Sequence, residues 1–326
     1  MCIRDRHILG KILKFSDAYT FCMYFLMTND VELISLAKNR EDKNIVKDIY
    51  KKGLPRILDL FSKYDIEATF YYTGNIVKLQ PEVVEIVKEE GHEIGCHSYS
   101  HDPNEALDLL PYEAQYKLIL KSKKIIEEVA GNIVSFKAPE LRINQYTIKA
   151  LEDAGFKIDS SVASQRFDGP LSYGTKNKFK WLFAPRKPYF PSYDSPFIRG
   201  NSKILEIPVS ALLIPYIGTT MRISPPLLKF IEKFIFREAR SPDKPILFIF
   251  HPNECIEYGE IEKTLHTQGV SGVFRDVIRQ NIKMRNLGEP AIKLLEEVIK
   301  RAKRYGFEFI SVKRYGEIYL KRMGCK

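Results

Sequence analysis

Short runs of apolar, β-branched and aromatic residues recur along the chain, and amphipathic stretches separate them. Strands that alternate with helical stretches of about 10–15 residues indicate βα units around a parallel sheet. The predicted strands are Phe21–Thr28, Ile66–Thr73, Glu93–Cys96, Ile133–Ala138, Lys157–Val162, Ile204–Val209, Ile246–Phe250 and Glu308–Val312. The pattern therefore predicts an α/β fold.

The stretches between these strands contain helices whose ends are marked by proline and glycine. The predicted helices are Pro55–Lys63, Pro81–Glu90, Pro111–Ala130 and Pro290–Arg304. Each opens on a proline, which suits the first helical turn, and Gly131 and Gly306 follow the ends of the third and fourth helices. All are short enough to pack outside a barrel strand.

Two segments interrupt the alternation and are predicted to be loop excursions over the mouth of the barrel. Residues 164–202 are rich in Pro, Gly, Tyr and Ser, and residues 252–290 follow a strand end with charged, glycine-bearing sequence. Loops of that length are usually functional. No linker divides the rest, so residues 21–326 are predicted to form a single domain. Residues 1–20 are expected to be an N-terminal extension that is not native, because its opening fits no pattern in the rest of the chain.

The composition is that of an ordinary globular protein, with 326 residues of which 44% are hydrophobic. The formal charge is +10, spread along the chain, which is typical of solvated helix faces. A basic surface could also attract an anionic glycan, a lipid-linked pyrophosphate or a membrane face, whereas no motif indicates nucleic acid. The oligomeric state stays open.

The cysteines and the apolar runs bear on the compartment. Five cysteines form no even framework, which indicates a reducing compartment. The longest apolar run near the start, Ala18–Thr28, is too short for a membrane span and lacks a cleavage site. We therefore expect no transmembrane segment and a cytoplasmic location, which includes a peripheral position at the inner membrane face.

Three of the six histidines lie close together near the end of a predicted strand: His92, His97 and His101. His97 and His101 are four residues apart and would face one cation if the backbone after His97 is helical. A structural pair that caps or fills a groove explains the spacing equally well. His92 precedes the strand and is interpreted as a packed or hydrogen-bonded histidine.

Acids and a further histidine follow two other strands. Asp30 and Glu32 are separated by one residue, so strand alternation places them on the same side, where one can bind a cation and the other accept a proton from its water. A solvated strand end is the alternative. His251 follows the strand Ile246–Phe250, at the edge where barrel folds place reacting groups, and is either a candidate acid or a structural histidine.

Taken in order, the segments T-N-D-V-E, H-S-Y-S-H, F-K-A-P, D-S-S and F-I-F-H resemble the five-motif series of the NodB-homology polysaccharide deacetylases, carbohydrate esterase family four. The resemblance runs from about Phe21 to Val312. It implies a distorted (β/α) barrel with one divalent metal ion, zinc or a similar ion. It also implies removal of the acetyl group from an N-acetylated sugar.

The resemblance also implies roles for single residues. His97 and His101 would bind the metal, Asp30 would be the base, and His251 the acid that protonates the leaving amine. Asp159 is expected to orient and charge-stabilise His251. The expected substrate contacts are Tyr99, whose neighbourhood offers a backbone N–H to the oxyanion, Pro139 and Arg142.

Two positions depart from the family pattern. Val31 stands where the common first motif has a metal-binding acid, so the ligand role passes to Glu32, with Asp30 as the alternative. Lys137 stands where the third motif has an arginine that pairs with the base. Lysine supplies the charge without the two-pronged geometry, unless Arg142 reaches the base. A surface lysine beside a proline turn is the alternative interpretation of Lys137.

The leading hypothesis is a metal-dependent hydrolase that cuts an amide bond, not a peptide bond, and removes the N-acetyl group of a sugar in surface polysaccharide biosynthesis. The substrate would be an N-acetylated glycan or a lipid-linked or nucleotide sugar. Its phosphate or carboxylate could be bound by Arg186, Lys187 and Arg222, with solvated basic side chains as the alternative. Hydrolysis of a cyclic amide or formamide on the same fold is an alternative. A catalytically silent glycan-binding protein is another, motivated by the departures at Val31 and Lys137.

Overall fold

Eight parallel strands form one curved sheet, and each lies within or next to an apolar run that predicted it. They are β1 (Met23–Val31), β2 (Thr69–Tyr72), β3 (Glu93–Cys96), β4 (Ser135–Phe136), β5 (Ile158–Asp159), β6 (Leu205–Glu206), β7 (Ile246–Phe250) and β8 (Phe307–Phe309). The computed structural model describes residues 22–166, 180–241, 243–259 and 281–324. Along the sheet the order is β7-β1-β2-β3-β4-β5-β6, and β8 also pairs with β1.

The register of the sheet aligns the ends of its strands in one row. Val31 lies opposite Tyr72, which lies opposite Cys96, and Cys96 lies opposite Phe136. The next pairs in the row are Phe136 with Asp159 and Asp159 with Glu206. Since all these strands are parallel, the residues that follow them emerge at one edge of the sheet, and this edge is where α/β folds bind their ligands.

The gap between β6 and β7 is closed by the chain that follows β6. The backbone N–H of Ser210 donates to the carbonyl oxygen of Leu247 at 3.1 Å, and the Leu247 N–H donates to Ser210 Oγ at 3.1 Å. A parallel bridge between Ile217 and Ile249 adds to this contact. The fold is therefore a distorted (β/α) barrel, as predicted.

Helices cover the outside of the sheet. They are α1 (Leu54–Lys63), α2 (Gly74–Leu79), α3 (Glu82–Glu89), α4 (Tyr112–Ala130), α5 (Gln145–Asp153), α6 (Gly218–Ile223), α7 (Pro225–Glu238), α8 (Glu289–Tyr305) and α9 (Val312–Arg322). The four helices predicted from the sequence correspond to α1, α3, α4 and α8, with ends that agree within one residue. Among the described helices, none has the length and apolar character needed to cross a membrane.

Shorter elements fill the connections. The helical turns are Lys43–Ile45, Val46–Asp48, the π-helical Ile49–Gly53, Pro103–Glu105, Leu107–Leu109, Pro139–Leu141, Lys180–Phe183 and Pro252–Cys255. Two small hairpins pair Ile34–Ser35 with Arg40–Glu41 and Ala211–Leu212 with Ile214–Pro215. The expected extension at residues 1–20 and the central parts of both predicted excursions, 167–179 and 260–280, lie outside the described residues.

Candidate functional site

Three predicted ligands meet at the carboxyl edge of the sheet. One side-chain donor atom from each of Glu32, His97 and His101 lies within 4.8 Å of the other two. His97 Nε2 lies 3.5 Å from Glu32 Oε2 and 3.4 Å from His101 Nε2, and His101 Nε2 forms an ion-pair contact with Glu32 Oε2. Glu32 and His97 are buried. The cluster is therefore an enclosed set of two nitrogens and one oxygen.

The two imidazoles converge for a different reason from the one expected. The backbone after His97 is an irregular loop, so the helical geometry considered from the spacing is not what brings the rings together. Ser98 has a φ of 57°, which turns the chain sharply. Its carbonyl oxygen accepts a hydrogen bond from the Gly74 N–H at 2.9 Å, and the backbone N–H of His101 donates to Glu41 Oε1 at 2.7 Å. Contacts with α2 and Glu41 therefore fix the spacing of the two rings.

The hydrogen bond on the far side of His97 fits a metal ligand. His97 Nδ1 lies 2.7 Å from the carbonyl oxygen of Lys137. A carbonyl can only accept, so Nδ1 carries the proton and the lone pair of Nε2 faces Glu32 and His101. Two imidazole nitrogens and a carboxylate oxygen are a donor set that zinc and similar ions accept with one position left open.

The charges in the cluster also suit a bound metal ion. Burial alone would raise the pKa of Glu32, but the charge of His101 and its hydrogen bond hold that pKa well below its usual range. Burial would lower the pKa of His101, and Glu32 outweighs it and raises that pKa. The carboxylate thus draws positive charge to this point, where a divalent cation would take the place of the imidazolium proton.

Asp30 lies on the same side as Glu32, as strand alternation predicts. Its Oδ2 is 3.9 Å from His97 Nε2 and 3.9 Å from His251 Nε2. Its Oδ1 accepts a hydrogen bond from Lys137 Nζ at 2.7 Å. Asp30 is therefore placed between the ligand cluster and the predicted acid, with Oδ2 near both of them and Oδ1 bound to Lys137.

Lys137 is fully buried, which excludes the interpretation of a surface lysine. Its Nζ donates to Asp30 and, at 2.8 Å, to Thr28 Oγ1. Burial lowers the pKa of Lys137, and the neighbouring Asp30 opposes that shift. Arg142 does not reach the base, because its Nε donates to Asp108 Oδ1 at 2.8 Å. Lys137 therefore forms a buried ion pair with Asp30, the predicted base.

His251 is held by a carboxylate that the sequence analysis did not identify. The helical turn Pro252–Cys255 follows it and brings Glu254 Oε1 to 3.0 Å from His251 Nδ1. Burial would lower the pKa of His251, but the hydrogen bond and the charge of Glu254 outweigh it and raise that pKa to about 9. The spacing of three residues on a turn opened by Pro252 was the available sequence signal.

Arg222 completes this side of the site and is not free to bind a substrate phosphate. It is 1% exposed, and its Nε donates to Glu254 Oε2 at 2.8 Å. Its Nη1 donates to the carbonyl oxygens of Lys283 and Arg285, at 2.8 Å each. The expectation that Arg222 recognises an anionic substrate group is therefore wrong.

The predicted pairing of Asp159 with His251 is not formed. Asp159 Oδ1 accepts hydrogen bonds from the Ser160 N–H at 2.8 Å and from Ser161 Oγ at 2.5 Å, and Glu206 lies opposite on β6. Burial raises the pKa of Asp159 to about 6 and, together with the charge of Asp159, raises the pKa of Glu206 well above its usual range. The two serines hold Asp159 next to Glu206, and Glu254 occupies the position at His251.

A cavity of about 280 Å³ adjoins the ligand cluster on its open side. Its lining comprises Ser100, His101, Asp102, Pro103, Glu105, Ala106, Pro139, Glu140 and Arg142. It therefore includes two of the predicted substrate contacts. The third, Tyr99, has its ring 3.3 Å below Lys121 Nζ, and its part in binding an oxyanion stays a prediction.

Comparisons with known proteins find similarity to one family. A family model described as polysaccharide deacetylase matches residues 45–158. The chain is 29% identical over 160 residues to a peptidoglycan deacetylase of Helicobacter pylori, covering 48% of this chain and 53% of that protein. It is 34% identical over 105 residues to a peptidoglycan-N-acetylglucosamine deacetylase of Bacillus cereus, covering 32% of this chain and 47% of that one. The chain thus spans about half the length of these curated relatives.

A solved structure extends the likeness of fold beyond the matched segment. The crystal structure of a probable polysaccharide deacetylase from Pseudomonas aeruginosa superposes with a TM-score of 0.57 at 14% identity, covering 92% of each chain. At that identity the superposition shows the fold alone. It agrees with the curved parallel sheet and its outer helices.

Proposed function

We propose that the chain, whose residues 45–158 match the polysaccharide deacetylase family model, is a metal-dependent hydrolase that removes the acetyl group of an N-acetylated sugar. The observation that carries the proposal is the cluster of Glu32, His97 and His101 with Asp30 beside it. The amide bond between acetyl group and sugar nitrogen is the bond cut.

In this proposal Glu32, His97 and His101 hold one divalent ion, and zinc is the ion that best suits their nitrogen and oxygen donors. When bound, such an ion lowers the pKa of a water molecule and polarises the acetyl carbonyl. The protein's own side chains carry out the proton transfers.

Asp30 is the base of the reaction. Its Oδ2 faces the ligand cluster, and it takes a proton from the attacking water there. Lys137, which donates to the other carboxylate oxygen, fixes the orientation of Asp30 and keeps a positive charge next to it. The same contact leaves Oδ2 available for the proton.

His251 is the acid. Its Nδ1 is engaged by Glu254, and its Nε2 lies 3.9 Å from Asp30 Oδ2. The raised pKa of about 9 keeps the ring protonated at neutral pH. His251 donates this proton to the sugar nitrogen as the carbon–nitrogen bond breaks, which releases acetate and a free amine.

The substrate class follows from the relatives and the cavity. The two curated relatives described above carry names that refer to peptidoglycan. The cavity beside His101 offers hydroxyl, carboxylate and guanidinium groups that can bind sugar hydroxyls, from Ser100, Asp102 and Arg142. We therefore propose that the substrate is an N-acetylated sugar unit of peptidoglycan or another surface polysaccharide, or its lipid-linked or nucleotide-linked precursor. A cytoplasmic location is part of the proposal, and five cysteines without an even framework support it.

The test is an acetate-release assay on N-acetylated oligosaccharides, peptidoglycan fragments and nucleotide sugars. Enzyme stripped with a chelator is compared with enzyme to which zinc or another divalent ion is returned. His101→Ala should lose the metal and lower the rate by at least about 100-fold, because the ion supplies several kcal/mol of transition-state stabilisation.

His92→Gln is the matched control, since His92 is stacked on Phe70 with ring centroids 5.3 Å apart and lies outside the ligand cluster. It should keep both metal and activity. Acetate release that survives complete removal of metal would contradict the proposal. Glycan binding without any turnover would favour the silent binding protein instead.

A further inference from the structure

The outward face of α7 carries aromatic side chains that the protein does not bury. Phe230 and Phe234 are 57% and 50% exposed, and their ring centroids lie 5.2 Å apart. They are four residues apart and therefore lie on one side of the helix. The side that faces the core is already filled by Leu228, Ile231, Ile235 and Phe236. The helix thus has a second apolar side, which faces solvent.

Basic residues surround this aromatic pair. Lys229, Lys233 and Arg237 are exposed. The two acidic residues of α7 are engaged elsewhere: Glu232 accepts hydrogen bonds from Arg301 and Tyr216, and Glu238 accepts from Arg186. The exposed charges of the face are therefore all positive.

Elements next to α7 also carry exposed apolar and basic side chains. The hairpin of Ala211–Leu212 and Ile214–Pro215 packs against α7, and Leu213 at its turn is 59% exposed. On the other flank, a cavity of about 340 Å³ between α7 and α8 is lined in part by Arg304 and Tyr305. Exposed apolar and basic side chains therefore continue on both neighbours of α7.

We propose that this surface, defined by Lys229, Phe230, Lys233, Phe234 and Arg237, docks on the face of an anionic lipid bilayer. The two rings would enter the boundary between headgroups and acyl chains, and the basic side chains would lie against lipid phosphates. The charge of the surface favours an anionic bilayer over a second copy of the chain, which would bring like charges together. The inference goes beyond the proposed hydrolase and does not depend on it.

Co-sedimentation of the full chain with vesicles tests the inference. Vesicles of phosphatidylcholine with phosphatidylglycerol are compared with vesicles of phosphatidylcholine alone, at low and high salt. We expect binding to the anionic vesicles only, weakened by salt because the phosphate contacts are screened. The double variants Phe230→Ser/Phe234→Ser and Lys229→Glu/Lys233→Glu should each lower the partition coefficient by about tenfold or more.

Matched controls separate this surface from the general positive charge of the chain. Lys117→Glu/Lys124→Glu changes two exposed lysines on α4, and Leu109→Ser removes a side chain that is 60% exposed elsewhere. Both controls should bind as the unmodified chain does. The inference fails if the unmodified chain does not bind anionic vesicles, or if the α4 control loses as much binding as the α7 variants. Thermal unfolding of every variant confirms that each is folded.

Discussion

Two buried ion pairs flank the ligand cluster, and they are built differently. Lys137 and Asp30 follow or end strands of the sheet and meet directly at 2.7 Å. Arg222 and Glu254 come from α6 and from the turn after β7, and meet at 2.8 Å. In the first pair the cation touches the proposed base, whereas in the second a carboxylate lies between the cation and His251.

This difference between the ion pairs matches the proposed roles of Asp30 as base and His251 as acid. A cation beside a carboxylate favours the form without a proton, which a base needs, and a carboxylate beside an imidazole favours the protonated form, which an acid needs. Arg222 cannot contact the ring of His251 in this arrangement and instead keeps Glu254 charged and fixed. The site thus places a cation beside its proposed base and a carboxylate beside its proposed acid.

Among the variants of these two ion pairs, Lys137→Met should have the largest effect on stability and activity. It leaves Asp30 buried without its partner, and loss of one partner of a buried pair costs about 3–5 kcal/mol of the free energy of unfolding. Urea unfolding measures that loss, and acetate release should fall with it. Lys137→Arg keeps the charge and should retain more of both. If Lys137→Met unfolds at the same urea concentration as the unmodified chain, the buried pair is not the constraint described here.

Glu254→Gln should come next, with acetate release lowered by about 10–100-fold. Without the charge of Glu254, the pKa of His251 falls from about 9 towards its usual value, so the protonated fraction is lost at lower pH. The alkaline limb of kcat/KM should therefore move to lower pH, which a pH profile measures. Glu254→Gln/Arg222→Met, which removes both charges, separates this effect from the cost of leaving Arg222 unpaired. An unmoved alkaline limb would show that Glu254 does not set the state of His251.

The same pKa makes a prediction for stability. A folded-state pKa raised above the ordinary value of about 6.5 contributes stability that is complete below that pH and is lost as the pH rises through about 9. The pH dependence of unfolding in this window should be smaller in Glu254→Gln than in the unmodified chain.

Asp159→Asn should have the smallest effect, below about tenfold on acetate release, because Asp159 does not contact His251. The alkaline limb of kcat/KM should stay where it is. The raised pKa of Asp159 makes the folded state lose stability as the pH rises between about 3.8 and about 6, so removing this acid should flatten that part of the stability profile. A shift of the alkaline limb as large as that of Glu254→Gln would restore the role that the sequence resemblance gave to Asp159.

The local sequence pattern was sufficient to predict much of the fold and the residues of the ligand cluster. Continuous apolar runs located the strands, and proline and glycine located the ends of α1, α3, α4 and α8. Strand alternation placed Asp30 and Glu32 on one side because side chains along a strand alternate with a period of two. The spacing of His97 and His101 predicted that they converge. It did not predict the turn at Ser98 that brings them together, because a serine gives no sequence signal of a positive φ.

The sequence by itself determined which residues stand at the carboxyl edge of the sheet, since hydrophobic periodicity and strand ends are local properties. Only the tertiary structure decided which partner each of them meets there. Arg222 lies 32 residues from Glu254 and takes its carbonyl contacts from positions 61 and 63 residues away. Such partners reach one buried point because separate elements pack together, and packing between distant segments leaves no periodic trace in the chain.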